Sequence, residues 1–169
     1  MKILAGRFRG RKIKTSRKLS YRPTKSLVRK SIFDALAPFD YNIVLDLFSG
    51  SGIFGFESAS RGAGSVTFVE NNLPTLKLLK NNAQLLRGPE YKFSSKNVLK
   101  FFTYKKKYDL IFADPPYGRY DVVMLTETIL EHLNKKGKFI LECEIKQIPF
   151  MDSQYRDYGQ TRILFWENL

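Results

Sequence analysis

From residue 42 onward, apolar runs and helix-like stretches take turns along the chain, and this alternation constrains the fold more than any other feature. NIVLDLF, SVTFVE, YKFS, YDLIFAD and GKFILECE read as strands, and residues 53–61, 72–87, 97–103 and 121–134 between them carry helical spacing. Strands separated by helices build a parallel sheet with right-handed crossovers, so the pattern predicts an α/β fold of Rossmann-like type. The tail breaks the rhythm. QYRDYG and TRILFWEN meet at Gly159-Gln160 and predict an antiparallel C-terminal hairpin at the sheet edge, which completes a seven-stranded, mostly parallel sheet. Trp166 is expected to pack in that hairpin or beside it.

Upstream of the alternation, KILA and RKIKT flank a Phe-Arg-Gly turn and predict a small basic N-terminal β-hairpin. Thr24 is placed to cap a helix over 25–37, with Leu27, Val28, Ile32, Phe33 and Leu36 at helical spacing and Pro38 as its stop. The one plausible boundary falls near residue 20. The expected organisation is therefore a basic extension over 1–20 and a single domain over 21–169.

Charge separates the same two parts. The net charge is +13, and residues 1–33 hold twelve Lys/Arg and no acid, leaving the remainder close to neutral. Interleaved Phe8, Ile13, Leu19, Tyr21 and Pro23 favour an ordered basic surface over a solvated tail, so a polyanion partner is expected. No apolar run approaches the ~18 residues of a membrane span and no signal peptide is legible, so a cytoplasmic protein with no membrane partner is expected. With Cys143 and His132 the only residues of their kinds, neither a disulfide nor a Cys/His metal site can form within the chain. No metal is expected.

The first strand runs into a glycine loop, VLDLFSGSGIFG, in which Gly50 to Gly55 spell G-x-G-x-x-G. In a dinucleotide site the pyrophosphate would sit on the amides of such a loop and the helix that follows. Asp46 argues against that ligand, because a carboxylate in a partly buried cleft repels pyrophosphate and attracts a cation. S-adenosylmethionine has no phosphate and carries a sulfonium, an ammonium and a carboxylate. Glu70, twenty residues after Gly50 at the end of the next strand, is placed for the two ribose hydroxyls of a nucleoside. Both cofactors contain adenosine, so these two segments favour S-adenosylmethionine while leaving a dinucleotide, or an empty Gly-rich turn, open.

The second motif is Asp114-Pro115-Pro116-Tyr117, at the carboxyl end of strand YDLIFA. An exocyclic amine on a purine is a weak nucleophile because its lone pair is delocalised into the ring. If the Asp114 carboxylate and the Pro115 carbonyl accept its two N–H groups, the nitrogen can pyramidalise toward a methyl donor. The prolines fix the backbone and bring no competing N–H, and Tyr117 offers a face for stacking, an interaction of about 1–3 kcal/mol. A dehydrogenase has no use for such amine acceptors.

DLFSGSG, Glu70 and DPPY resemble the motifs of class I amino-methyltransferases. MKILAGRFRGRKI and RPTKSLVRKSIFDAL resemble more narrowly the bacterial 16S ribosomal RNA guanine-N2 methyltransferases of the RsmD type, and the likeness runs through almost the whole chain. The resemblance implies S-adenosylmethionine as cofactor, with Asp46, Ser49, Gly50, Ser51 and Gly52 at its methionine end, Glu70 at its ribose and Asn97 near its adenine. It implies that Asp114, Pro115, Pro116 and Tyr117 hold the target guanine, and that Arg22, Thr24 and Arg29 lie near cofactor and substrate. Lys30 and Asp34 depart from the acid and amide expected there. Arg7, Arg9, Arg11, Lys12, Arg22 and Arg29 are the expected RNA contacts, and the expected partner is 16S ribosomal RNA within the small subunit, bound by a monomer. Two other readings stay open: an adenine-N6 DNA methyltransferase, which usually adds a separate recognition domain for which no ~80–100-residue insertion is available here, and a non-catalytic RNA-binding module, which would gain nothing from acids in its cleft.

Overall fold

The computed structural model describes residues 1–15, 26–102 and 105–169. Strands β1 (Ile43–Leu47), β2 (Ser65–Val69), β3 (Glu90–Ser94), β4 (Tyr108–Ala113), β5 (Leu133–Glu144), β6 (Gln154–Tyr158) and β7 (Thr161–Glu167) form one sheet. Its order is β3-β2-β1-β4-β5-β7-β6, with β1 to β5 parallel and the last two antiparallel. The order reverses between β1 and β4, so a crevice opens at the carboxyl ends of those strands, where open α/β sheets bind ligands.

Among the described residues, α1 (Ser26–Ala35) precedes the sheet, and α2 (Ile53–Arg61), α3 (Leu73–Leu85), α4 (Val98–Phe101) and α5 (Val122–Leu130) connect its strands. The central strands are buried on both faces, which is why they read as unbroken apolar runs. Val44, Phe68, Phe112 and Ile140 face one cluster with Phe33 of α1, Phe56 of α2 and Leu79 of α3; Leu45, Ile111, Phe139 and Leu141 face the other with Val98, Leu125 and Ile129. Trp166 lies 5.1 Å from the Phe139 ring and donates its indole N–H to Met151 O at 3.1 Å. Asn72 and Asp121 cap α3 and α5 through their side chains, so both helices start where the sequence pattern placed them.

Two features depart notably from the sequence reading. The helical pattern over 121–134 yields to β5 at Leu133, which is buried and pairs with Tyr108. Tyr108 N–H donates to His132 O at 2.9 Å, and this long-range pairing outweighs four more helical residues. In α1, Leu27 is 71% exposed while Arg29 is 3% exposed, so the buried face is rotated to include a guanidinium. Thr24, its predicted cap, and Arg22 lie outside the described residues.

The basic hairpin is paired by a single bridge, Lys2 to Lys12, with Ile3 N–H donating to Arg11 O and Ile13 N–H to Met1 O. Its ladder is short because other amides turn to α2. Leu4 and Ala5 N–H groups donate to the two carboxylate oxygens of Glu57, at 2.7 and 3.0 Å, and Phe8 N–H donates to Ser60 Oγ. Ile3, Phe8 and Ile13 are buried in the first cluster, each worth about 1.5–3 kcal/mol of apolar transfer. A fully buried Glu57, paired to Arg61 at 2.9 Å, thus ties the hairpin to the sheet domain.

Candidate active site

A cleft of about 520 Å³ lies over the crevice between β1 and β4. Asp46, Ser49, Gly50, Ser51, Glu70 and the four residues Asp114 to Tyr117 all line it. Segments sixty residues apart in sequence meet there because β1 and β4 are neighbours, with Asp46 beside Phe112 in the ladder. Glu142 of β5 lines the same wall, one step beyond the Ala113–Leu141 pair and so alongside Asp114.

The carboxylates organise the loop. Asp46 is 2% exposed and accepts the Gly55 N–H at 3.0 Å, an amide of the first turn of α2 that has no helical partner. Burial pushes its carboxyl up to about 8; the Gly55 N–H opposes this and the Glu70 charge adds to it. Glu70 accepts Gly50 N–H on one oxygen at 3.0 Å and Asn72 N–H on the other at 2.8 Å, bracing the loop while retaining lone pairs toward the cleft. Ser49 donates its hydroxyl to Asp46 O at 2.6 Å and so holds the strand end.

The glycines are steric devices. Gly50 and Gly52 have φ of 49° and 74°, in the left-handed region that L side chains avoid. A Cβ on Gly55 would overlap the Phe68 ring and stand 2.9 Å from Val66 Cγ1, so this glycine lets α2 lie on the sheet. Phe48 also has positive φ, 54°, and its ring packs edge-on to Tyr120 at 4.8 Å beside the cleft.

Three of the expected site residues do not line the cleft. Gly52 caps α2 beneath the loop and does not line the cleft. Asn97 is not in the lining either: its side chain accepts Leu99 N–H to cap α4, and its neighbours Lys96 and Val98 line the cleft instead. Arg29 is no surface phosphate contact, because it is buried with Nη1 on Lys2 O at 3.2 Å. Arg7, Arg9, Arg11 and Lys12 are exposed; Arg7 lies 4.8 Å over the Phe8 ring and Arg11 donates to Leu85 O. Lys96, Arg119, Tyr120 and Glu142 escaped the sequence reading. For Glu142 a signal existed, since it follows the apolar run Phe139–Leu141 just as Asp114 follows the run of β4.

The donor set discriminates between ligands. Two amides on which a pyrophosphate would sit, Gly50 N–H in the loop and Gly55 N–H in the first turn of α2, already donate to carboxylates of the chain itself, and four acids line the cleft. Such a site suits a cationic nucleoside. A family model described as conserved hypothetical protein 95 matches residues 1–167. The chain belongs to this family. The ribosomal RNA small subunit methyltransferase D of Buchnera aphidicola subsp. Acyrthosiphon pisum is 36% identical over 151 residues, 86% of this chain and 78% of that protein. The protein of the same name in Escherichia coli K12 is 33% identical over 131 residues, 76% of this chain and 65% of its own length. Among solved structures, the candidate methyltransferase yhhF of Escherichia coli superposes with a TM-score of 0.88 at 26% identity, covering 99% of this chain and 97% of that one. These likenesses place the chain among RsmD-type methyltransferases, as AGRFRGRK and the two cleft motifs led one to expect.

Proposed function

We propose that this chain methylates the exocyclic N2 of a guanine in 16S ribosomal RNA of the small subunit, using S-adenosylmethionine. The observation that carries the reading is the meeting of Asp114-Pro115-Pro116-Tyr117 with Asp46 and Glu70 in one cleft. When bound, S-adenosylmethionine supplies an electrophilic methyl group. Asp46, with Ser51 and the loop at Gly50, would hold its aminoacyl end, and Glu70 its ribose. A carboxyl at about 8 is largely neutral at pH 7 and becomes the ionised partner when a cation arrives.

On the substrate side, Asp114 and the Pro115 carbonyl accept the two N–H groups of the amine and localise its lone pair. Pro116 fixes the carbonyl direction, and Tyr117 stacks on the extruded base. Glu142, beside Asp114, is placed to accept the N1–H of guanine, a donor that adenine lacks. The rate gain comes from positioning and from fixed acceptors in a water-poor cleft, with no base of histidine type required. The exposed arginines of the hairpin bind phosphates without reading sequence.

Tritiated S-adenosylmethionine incubated in turn with small subunits, bare ribosomal RNA and duplex DNA tests the reading. Label is expected in guanine of the small-subunit RNA; label in adenine or in DNA refutes it. Asp114→Ala should lower kcat about 10²–10³-fold with cofactor affinity unchanged.

A further inference from the structure

A second cavity of about 260 Å³, half the volume of the cleft, opens beside α4. Thr67 and Tyr108, both buried, form its floor; Phe101 and Phe102 form a wall, their rings 5.4 Å apart; Lys92 and Lys106 stand on its rim with Lys96. Its described lining contains no acid, whereas the cleft contains four. Lys106 Nζ lies 4.9 Å over the Tyr108 ring; burial and then the Lys92 charge lower its pKa, opposed by Glu90, which pairs with Lys92 at 3.0 Å outside the cavity lining. Thr67 Oγ1 on the floor is buried and has no hydrogen-bond partner. The Tyr108 hydroxyl is near enough to interact with it, and that interaction offsets a little of the burial that raises Tyr108 to about 12. A buried hydroxyl left unpaired costs about 1–3 kcal/mol, which an incoming polar group would recover.

We infer that this cavity holds one unpaired nucleotide of the RNA substrate, its base against the aromatic wall and Thr67, its phosphate on Lys92 and Lys106. The inference rests on the RNA-methylating reading above. Lys96 lines both cavities, so a strand whose target base enters the cleft passes this lysine to reach the second site. Aromatic stacking with a cationic rim is the usual chemistry of single-stranded nucleic-acid capture. Such a pocket would grip the strand next to the extruded guanine and add to the hairpin a second anchor of different kind.

The test uses the full chain saturated with S-adenosylhomocysteine and titrates adenosine 5′-monophosphate, adenosine and inorganic phosphate by calorimetry. The nucleotide is expected to bind about tenfold or more tighter than either fragment, because it alone engages both wall and rim. Changing Lys92→Ala with Lys106→Ala should weaken it about tenfold, and Thr67→Val, which keeps the shape, about threefold. The lysine variant should also raise KM for small subunits several-fold with kcat and cofactor affinity unchanged. Phosphate binding as tightly as the nucleotide, or nucleotide binding unchanged in both variants, overturns the inference. RNA methylation without nucleotide binding sinks this site alone; nucleotide binding without methylation of any RNA sinks the proposed reaction and leaves the site.

Discussion

Shifting pH across 8 should change how many protons the protein gives up when S-adenosylmethionine binds. Asp46 is 2% exposed, and its carboxyl is raised to about 8 by burial, with Glu70 adding to the rise. At pH 7 about nine-tenths of the unliganded molecules carry a proton there, and a cation held within ~4–6 Å favours the ionised form. If binding returns the group to its ordinary range, release is about 0.9 proton at pH 7, about 0.5 at pH 8 and about 0.1 at pH 9. Calorimetric titration in pairs of buffers with different ionisation enthalpies measures this number directly. Asp46→Asn should abolish the pH-dependent part. The same group predicts a stability trend in the unliganded protein. Its native value lies above the unfolded 3.8, so the native state binds the extra proton, and its contribution is lost as pH rises from about 4 to 8. Release that stays flat between pH 6.5 and 9, or that survives in Asp46→Asn, would refute the assignment of Asp46 as the cation's partner.

Other perturbations probe the hairpin and the loop. Glu57→Gln leaves one acceptor where Leu4 and Ala5 need two, and turns an N–H₂ toward a buried N–H; a loss of about 2–4 kcal/mol follows, or roughly 5–15 °C in thermal unfolding. Hydrogen exchange at those two amides should quicken with it. Replacing Arg7, Arg9 and Arg11 by Gln should weaken RNA binding and lower the slope of log affinity against log salt by about 2–3, with cofactor affinity unchanged; equal loss of both would mean the fold was damaged. Gly55→Ala should destabilise by about 1–3 kcal/mol in denaturant unfolding, because the new methyl meets Phe68 and Val66.

Much of this architecture was legible in the chain because its signals are local. Apolar runs buried on both faces marked β1, β2, β4 and β5, while Asn72, Asp121 and the Gly159 turn marked ends that depend on a few neighbouring residues. Departures from the sequence reading arose where hydrogen-bond partners, distant or near, decide. Leu133 joins β5 because Tyr108 offers a ladder, and Arg29 is buried because the hairpin backbone lies over α1. Asn97 turns to its own helix because a nearby unpaired amide is a closer partner than the cleft.

The sequence by itself determined the order of the elements, the glycine positions and the chemical kinds of the cleft groups, since periodicity, positive φ and side-chain charge belong to each residue. Only the tertiary structure decided which of those groups share a cavity and what each is bonded to. It made Glu57 a clasp for the hairpin, gave Glu70 to the loop amides and set Glu142 beside Asp114. Strand order causes this difference: placing β4 and β5 beside β1 brings together carboxylates nearly a hundred residues apart, and burial then sets their protonation.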